Sequence, residues 1–302
     1  MPSTHLQPEP IIGVGLRHPH YNHALSTEPN HHSVEHTIDF VEIHAENFFA
    51  NGGISIDLLR DASEKYKVSV HGTSLGLGSN LSVPKETLEQ FAKVVNTADA
   101  YLVSEHLCFN RAQVGGRILH SGDLLPLAYN DKSLQVLSDN VQHVQSIIKR
   151  PILIENLSAY LQPRYVDELA TDTMTEAAFL IELCKRAGCG LLLDLNNLIV
   201  NALNKKETNI IDKIFEQIQS IPAELIGEIH LAGFSDKRVN GFIVDDHACS
   251  VSQTCWSLYQ RVISHVGLKP TLVEWDNDLP SWDVLLAEAN KARAINTELM
   301  TQ

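Results

Sequence analysis

The chain has 302 residues, of which 44% are hydrophobic and 20% charged, and it contains 23 Lys and Arg against 37 Asp and Glu. This composition is apolar enough for a full hydrophobic core and excludes a disordered chain. A net charge of −14, with no cluster of Lys or Arg, argues against a nucleic-acid-binding protein, because a phosphate backbone needs positive charge on the surface that it contacts.

The sequence shows no sign of a membrane segment or of a disulfide framework. The first residues lack a basic stretch followed by an apolar one, and no apolar run approaches the roughly 18 residues of a membrane span. The five cysteines are an odd number and form no Cys-x-x-Cys pair, which favours reduced thiols over disulfides or a thiolate zinc site. We therefore expect a cytoplasmic protein that binds neither membranes nor nucleic acid.

Short apolar runs alternate with amphipathic stretches along the chain, which is typical of parallel strands connected by helices. In chain order, the apolar runs predict strands at residues 11–16, 40–43, 68–70, 101–103, 152–154, 191–193, 226–229 and 271–273. The amphipathic stretches predict helices at residues 86–96, 132–149, 175–187, 209–220 and 251–266, and from residue 282 onward. No linker divides the chain. We therefore predict one α/β domain over residues 1–302, a (β/α)8 TIM barrel, with an open doubly wound sheet as the alternative.

Acidic and imidazole side chains stand where most of the later strands end. They are His71, His106, Glu155, Asp194, His230 and Glu274, and the loop after the seventh strand adds Asp245 and His247. Taken singly, each could be a helix cap or a satisfied polar group, but in a barrel all of them meet at the C-terminal mouth. Four carboxylates and four imidazoles in one pocket need cations to balance their charge, and a set without thiolate favours Fe, Mn or Zn. The sequence therefore predicts two or three metal ions, with Asn197 as a neutral oxygen ligand or a capping amide.

The first two strands carry a second group of polar residues. Glu42, His44 and Glu46 alternate along the second strand, so a period of two places them on one face, pointing into the barrel. Such groups act in proton transfer, orient metal-bound histidines or form a hydrogen-bonded polar layer. Arg17 and His20 follow the first strand and either bind an anionic substrate group or pair with Glu46. The candidate catalytic residues are accordingly Glu46, His20 and Arg17.

Ten motifs occur in a fixed order along nearly the whole chain. They are Gly13-Val14-Gly15-Leu16-Arg17 with His20, Glu46-Asn47, His71-Gly72, Ser104-Glu105-His106-Leu107, Leu124-Leu125-Pro126, Ile154-Glu155-Asn156, Leu192-Leu193-Asp194 with Asn196-Asn197, Ile229-His230-Leu231-Ala232-Gly233, Asp245 with His247, and Val273-Glu274 with Asp276. In these motifs the chain resembles the multinuclear non-heme iron-dependent oxidases (MNIO), a family related to the methanobactin biosynthesis oxidase subunit.

The resemblance implies a xylose-isomerase-like TIM barrel that holds two to three iron ions in a mixed Fe(II)/Fe(III) state. It implies an enzyme that uses O2 as a co-substrate to modify cysteine residues of a ribosomally synthesised precursor peptide. A small partner protein that presents the peptide is implied as well. The family's metal ligands fall on His71, His106, Glu155, Asp194, Asn197, His230, Asp245, His247 and Glu274.

Other functions are open for this ligand pattern. It is more distantly similar to the trinuclear zinc endonucleases for abasic DNA and to xylose-isomerase-like isomerases and hydrolases. The endonucleases would have an imidazole three residues after Asp194, where this chain has Asn197, and the acidic balance argues further against DNA. A metal-binding or peptide-docking module without catalysis would require protein ligands to fill every coordination position.

Overall fold

The computed structural model describes residues 9–26, 38–161 and 173–301. Its strands are β1 (Ile12–Gly15), β2 (Phe40–His44), β3 (Lys67–Gly72), β4 (Leu102–His106), β5 (Cys108–Val114), β6 (Arg117–Pro126), β7 (Leu153–Glu155), β8 (Gly190–Asp194), β9 (Ile226–Leu231), β10 (Arg238–Val239), β11 (Phe242–Ile243) and β12 (Thr271–Val273). Its α-helices are α1 (Tyr21–Ala24), α2 (Ile54–Lys65), α3 (Lys85–Thr97), α4 (Asp131–Ile148), α5 (Glu176–Ala187), α6 (Leu195–Asn204), α7 (Ile210–Gln219), α8 (Gln253–Val266) and α9 (Trp282–Met300).

Eight parallel strands close into a barrel in the order β1–β12–β9–β8–β7–β4–β3–β2, and β2 pairs back to β1. The prediction of a TIM barrel is confirmed, and the open-sheet alternative is wrong. Each predicted apolar run overlaps one barrel strand, because strands that are covered on both faces need a nearly continuous apolar sequence. The extent of the single domain over residues 1–302 stays a prediction.

Helices connect the barrel strands and bury their apolar sides in the core between helices and barrel. Several begin at a capping side chain: Asn130, Thr175 and Ser252 each accept a hydrogen bond from the backbone N–H three residues further on. The sequence did not predict α2 or α6. The second of these follows β8 directly, so that its apolar residues continue the apolar run of the strand. Within the described ranges, no helix is both long enough and apolar enough to cross a bilayer.

Two β-hairpins that the sequence did not predict follow barrel strands at the mouth. We call residues 108–126, which form β5 and β6 after β4, the first arm, and residues 238–243, which form β10 and β11 after β9, the second arm. Gly115-Gly116 and Asn240-Gly241 make their two-residue turns, and all four residues have positive φ angles, from 53° to 87°. Such turns favour Gly and Asn because a positive φ strains other residues.

Candidate metal centre

A cavity of about 360 Å³ opens at the C-terminal mouth of the barrel. Its walls include the predicted ligands His71, His106, Glu155, Asn197, Asp245, His247 and Glu274. The two other predicted ligands, Asp194 and His230, are fully buried and fall into groups with residues of its walls. The barrel therefore brings all nine predicted ligands to one place, as the strand-end positions predict.

Among the described residues, five groups of three side chains bring their ligand atoms within 4.8 Å of one another, and three of these groups consist only of predicted ligands. These three are His71, His106 and Glu155; Glu155, Asp194 and His230; and Asp194, His247 and Glu274. Glu155 is shared by the first two groups, and Asp194 by the last two. A carboxylate has two oxygens, so each shared residue could bridge two ions. The arrangement could thus hold a row of three metal ions.

The two histidines of the first group are held by hydrogen bonds to neighbouring strands. Nδ1 of His71 lies 2.8 Å from Oγ of Ser104, and Nδ1 of His106 donates to the carbonyl of Gly72 at 3.3 Å. Their Nε2 atoms therefore face Oε2 of Glu155, at 3.5 and 3.4 Å. A hydrogen bond on one ring nitrogen fixes the tautomer and orients the other nitrogen toward an ion.

Asp194 begins helix α6 and also faces the centre. Its Oδ1 accepts a hydrogen bond from the backbone N–H of Asn197 at 2.6 Å, which caps the helix. Asn197 donates from Nδ2 to Oε1 of Glu155 and to the carbonyl of Asn156, at 3.2 and 3.0 Å, so the amide oxygen is left over. The capping and ligand interpretations of Asp194 are therefore compatible, because each uses a different oxygen.

His230, at the end of β9, is buried between two carboxylates. Its Nδ1 is hydrogen-bonded to Oε2 of Glu274 at 3.1 Å, and its Nε2 lies 3.2 Å from Oε2 of Glu42. Burial alone would lower the pKa of His230, but Glu42 and the neighbouring acids raise it well above its ordinary value. Glu42 thus has the orienting role that the sequence offers for the acids of β2.

His247 of the third group lies in the loop after the second arm, together with Asp245. Nε2 of His247 lies 2.9 Å from Oδ1 of Asp245, and its Nδ1 lies 3.3 Å from Oε2 of Glu274. Asn196 donates to Oδ1 of Asp245 at 2.7 Å, and the backbone N–H of Asp245 donates to the hydroxyl of Tyr160 at 2.7 Å. His247 has a φ of 43°. This conformation costs about 1–2 kcal/mol in a residue other than Gly and is typical of functional sites.

Several buried ligand atoms have no hydrogen-bond partner of good geometry. They are Oε2 of Glu155, Oδ2 of Asp194, Oδ1 of Asn197 and Nε2 of His247. A buried polar atom without a partner costs about 1–3 kcal/mol, and cations bound at the three ligand groups would satisfy these atoms. The donor set therefore suits metal ions, and the role of each residue as a ligand stays a prediction.

The pKa values of the ligand residues in the ion-free centre are shifted in the direction expected for a site that binds cations. Burial raises the pKa of Glu155 to about 8 and that of Asp194 to about 7. Burial alone would lower the pKa of His106, but Glu155 and the adjacent Glu105 outweigh it and raise that pKa to about 10. Protons therefore occupy part of the ligand set at neutral pH when no ion is bound.

Arg17 follows strand β1 beside this centre and contacts three carboxylates. Its Nε donates to Asp276 at 2.6 Å, and one terminal nitrogen lies 3.3 Å from Oε1 of both Glu42 and Glu274. The same nitrogen lies 2.9 Å from Nε2 of His44. Burial would lower the pKa of Arg17, but the three acids outweigh it and raise the pKa. Arg17 is therefore placed to position Glu274, and its role in catalysis stays a prediction.

The expected pair between Arg17 and Glu46 is wrong. The strand β2 ends at His44, and Glu46 lies in a short 3-10 helix, so the period of two that groups it with Glu42 does not extend to it. Oε1 of Glu46 instead accepts the backbone N–H of Thr73 at 2.9 Å. Glu46 is thus placed to hold the loop after β3 beside the cavity.

His20 does not come together with the predicted ligands. Its Nε2 lies 3.0 Å from the carbonyl oxygen of Pro280, and its ring packs against Trp282 with 5.5 Å between the centroids. It is buried and does not line the cavity. Its contacts fix the segment that leads into α9, which is a structural role.

Several residues of the cavity wall were not predicted from the sequence, among them the polar Asp123 and Tyr160. Asp123 reaches the wall from the first arm, and Tyr160 from the loop after β7. The signal for the first arm is Gly115-Gly116 between two stretches of strand-forming residues, which indicates a tight hairpin. Tyr160 carries no comparable signal, since nothing local distinguishes it from other loop aromatics.

Comparison with known proteins gives the family. Residues 11–297 match the family described as "RiPP precursor modification enzyme MbnB/TglH/ChrH". A UPF0276 protein of Chromobacterium violaceum is 39% identical over 94% of each chain. One from Vibrio vulnificus strain CMCP6 is 41% identical over 94% of this chain and 90% of the relative.

Solved structures give the fold. Endonuclease IV from Thermus thermophilus has a TM-score of 0.56 at 13% identity and covers 96% of this chain and 100% of its own. A xylose isomerase domain protein from Salmonella typhimurium LT2 has a TM-score of 0.53 at 15% identity, over 96% and 97%. These likenesses confirm the xylose-isomerase-like barrel. The family match spans almost all of the chain and includes every motif of the expected resemblance, so the chain belongs to the MbnB/TglH/ChrH family of RiPP precursor modification enzymes.

Proposed function

We propose that this protein is an iron- and O2-dependent oxidase that modifies cysteine residues of a ribosomally synthesised precursor peptide. Membership of the family supports the modification of a peptide. The row of three ligand groups that share Glu155 and Asp194 supports a centre of two to three ions, and it is the observation that carries the proposal. A single ion would not need two carboxylates that each lie between two groups.

The protein's own residues hold and insulate the centre. When bound, iron would supply electrons for the reduction of O2 and an open position for the sulfur of a substrate cysteine. Ser104 and the carbonyl of Gly72 hold the imidazole rings of the first group by hydrogen bonds. Arg17 and His230 contact the carboxylate of Glu274. The geometry is thereby set before the substrate arrives.

The charge of the cavity favours a neutral or basic peptide. Its walls carry the carboxylates of Asp123, Glu155, Asp245, Asp246, Glu274 and Asp276, and neither Lys nor Arg is among the described lining residues. An anionic substrate such as a phosphorylated sugar or a DNA backbone would have no cation to contact apart from the metal ions. Together with Asn197, this argues against a zinc endonuclease and against an isomerase or hydrolase of phosphorylated sugars. A small protein that presents the peptide remains part of the proposal.

The metal and the reaction can be tested together. Protein purified from iron-supplemented cells is expected to contain two to three irons per chain. It should consume O2 when a cysteine-containing precursor peptide is added, and it should not when the cysteines of that peptide are replaced by Ser. Stoichiometric zinc after iron-replete growth, without O2 uptake, would contradict the oxidase and favour a zinc-dependent hydrolase.

Binding of iron is expected to release protons and to strengthen as the pH rises from about 6 to 8. The raised pKa values of Glu155, about 8, and Asp194, about 7, mean that both carry protons over the lower part of this range, and an ion must displace them. Anaerobic calorimetric titration with Fe(II), in two buffers with different ionisation enthalpies, measures the protons released. Heats that do not depend on the buffer, or an affinity that falls with pH, would contradict this expectation.

A further inference from the structure

The large apolar side chains that are exposed to solvent are concentrated at one end of the barrel. Among the described residues they are Ile54, Val114, Ile118, Leu119, Ile147, Leu161, Val239, Phe242 and Val284. All except Ile147 lie in segments that lead from the end of one barrel strand into the first turn of the next helix, which places them at the mouth. Exposed apolar surface beside a cavity marks a binding site more often than chance.

The first arm is the most exposed of these segments. Every residue from 112 to 123 is exposed, and Val114, Ile118 and Leu119 have 57%, 65% and 52% of their surface in solvent. A two-stranded hairpin without a covered face is at best marginally stable in water. A further strand or chain laid against the arm would therefore stabilise it.

The arm offers one open edge, and that edge runs into the cavity. The base of β5 is already bonded to the loop after β3, through Gly78 to the carbonyl of Cys108 and through Ser79 to the backbone of Asn110. The outer edge of β6 pairs with no other strand in the described part of the chain. Leu124, on the same β6, lines the cavity. One strand thus connects the exposed tip with the metal centre.

The second arm faces the cavity from another side. Its barrel strand β9 is separated from β4, the strand before the first arm, by β8 and β7 in the closed barrel. Phe242 of this arm is 40% exposed, and its ring centroid lies 6.4 Å from that of Tyr160, which lines the cavity. Phe242 therefore brings apolar surface of the second arm to the cavity wall at Tyr160, and Leu124 does so for the first arm.

We propose that an extended segment of the peptide substrate pairs with the outer edge of β6, with apolar side chains against the two arms, and so carries its cysteine into the cavity. The inference rests on the proposed function and names the surface that grips the substrate. Pairing through the backbone gives affinity and direction, while pockets for alternate side chains give specificity. The six wall carboxylates at the end of the path favour an uncharged or basic segment over an acidic one.

The geometry sets a length for the segment. Ile118 and Leu124 are six residues apart on β6, a distance of at most about 20 Å because the strand bulges between His120 and Leu125, where Gly122 has a φ of 74°. A peptide that follows this edge needs up to about six residues on one side of its cysteine. Shortening that side is expected to weaken binding, whereas shortening the other side is not.

Peptide binding to arm variants tests the inference. The probe is a fluorescein-labelled synthetic peptide of 14 residues, with alternating Val and Thr around one central cysteine and Lys at both ends. Its anisotropy is measured with iron-loaded protein under anaerobic conditions, so that no turnover occurs. The I118S/L119S variant is expected to bind roughly tenfold more weakly than wild type, because two apolar contacts are lost. The matched control is I147S, which removes an apolar side chain that is 43% exposed at the opposite end of the barrel; it should bind as wild type does.

The outcomes separate this inference from the proposed function. Equal affinity of I118S/L119S and wild type, or no binding to wild type, overturns the inference. A second probe carries Ser in place of cysteine and reports on the thiolate alone. If this probe binds more weakly while I118S/L119S binds the first probe as wild type does, the proposed oxidase stands and the role of the arm is overturned. Sedimentation equilibrium tests whether a second copy of the chain or a presenting protein binds to the first arm instead. A dimer of wild type, or a complex with a folded presenting protein, that dissociates in I118S/L119S while the peptide affinity is unchanged would assign the arm to that partner and overturn the inference.

Discussion

The E155Q variant is expected to lose most of its metal and, by roughly a hundredfold or more, its activity. Glu155 is shared by two of the three ligand groups, and both histidines of the first group face its Oε2 atom. Loss of residues that merely orient a ligand costs about 10–100-fold in affinity or activity, so loss of a bridging ligand should cost more. Metal analysis and O2 uptake of the purified variant measure both effects.

The same substitution is expected to leave the ion-free fold intact. Burial raises the pKa of Glu155 and so favours its neutral form in the ion-free centre, and Gln resembles that form. A carboxyl whose pKa is higher in the folded state than in the unfolded chain weakens the fold as the pH rises toward the folded value. Ion-free wild type should therefore lose free energy of unfolding between about pH 5 and 9, and E155Q should lose less.

A buried carboxylate elsewhere provides the control. Glu288, in α9, is almost fully buried and accepts the backbone N–H of Val251 at 3.2 Å, but it does not line the cavity. E288Q is expected to keep metal and activity, with a modest change in stability. If E155Q retained its full metal content while E288Q lost it, the proposed bridging role of Glu155 would be wrong.

The sequence predicted the parts of the site that depend on local order. Each barrel strand contains a short, mostly apolar run, and the residue that follows it lies at the mouth because all strands of the barrel are parallel. His71, Glu155 and Asp194 were therefore placed correctly at one mouth without knowledge of any distance. Their positions follow from the alternation of strand and helix alone.

The parts that the sequence did not predict depend on closure of the barrel and on irregular segments. The partner of Arg17 is Asp276, which is 259 residues away and becomes a neighbour only when β1 pairs with β12. Glu46 was misplaced because the strand ends two residues earlier, which one sequence does not reveal. The first arm interrupts the alternation of strand and helix, and its polar and apolar residues are both exposed, so it shows no amphipathic pattern.

The R17M variant is expected to be less stable than wild type by about 3–5 kcal/mol at neutral pH. Arg17 is only 7% exposed and contacts Glu42, Glu274 and Asp276. Met fills a similar volume but removes one counter-charge from these acids, and removing one partner of a buried ion pair costs about this much. Urea unfolding of the ion-free protein measures the loss. R186M removes an arginine that pairs with Glu182 and Asp131 at the surface, and it should change stability little.

A double variant separates the charge of Arg17 from its packing. Adding E42Q to R17M removes one of the acids that lose a counter-charge and is expected to restore part of the stability, whereas a loss that comes from packing would not be restored. No rescue by E42Q would contradict an electrostatic role. Glu274 belongs to the third ligand group and contacts Arg17 directly, so R17M should also bind iron more weakly. The ion pairs of Arg17 would then contribute both to the stability of the fold and to the geometry of the proposed centre.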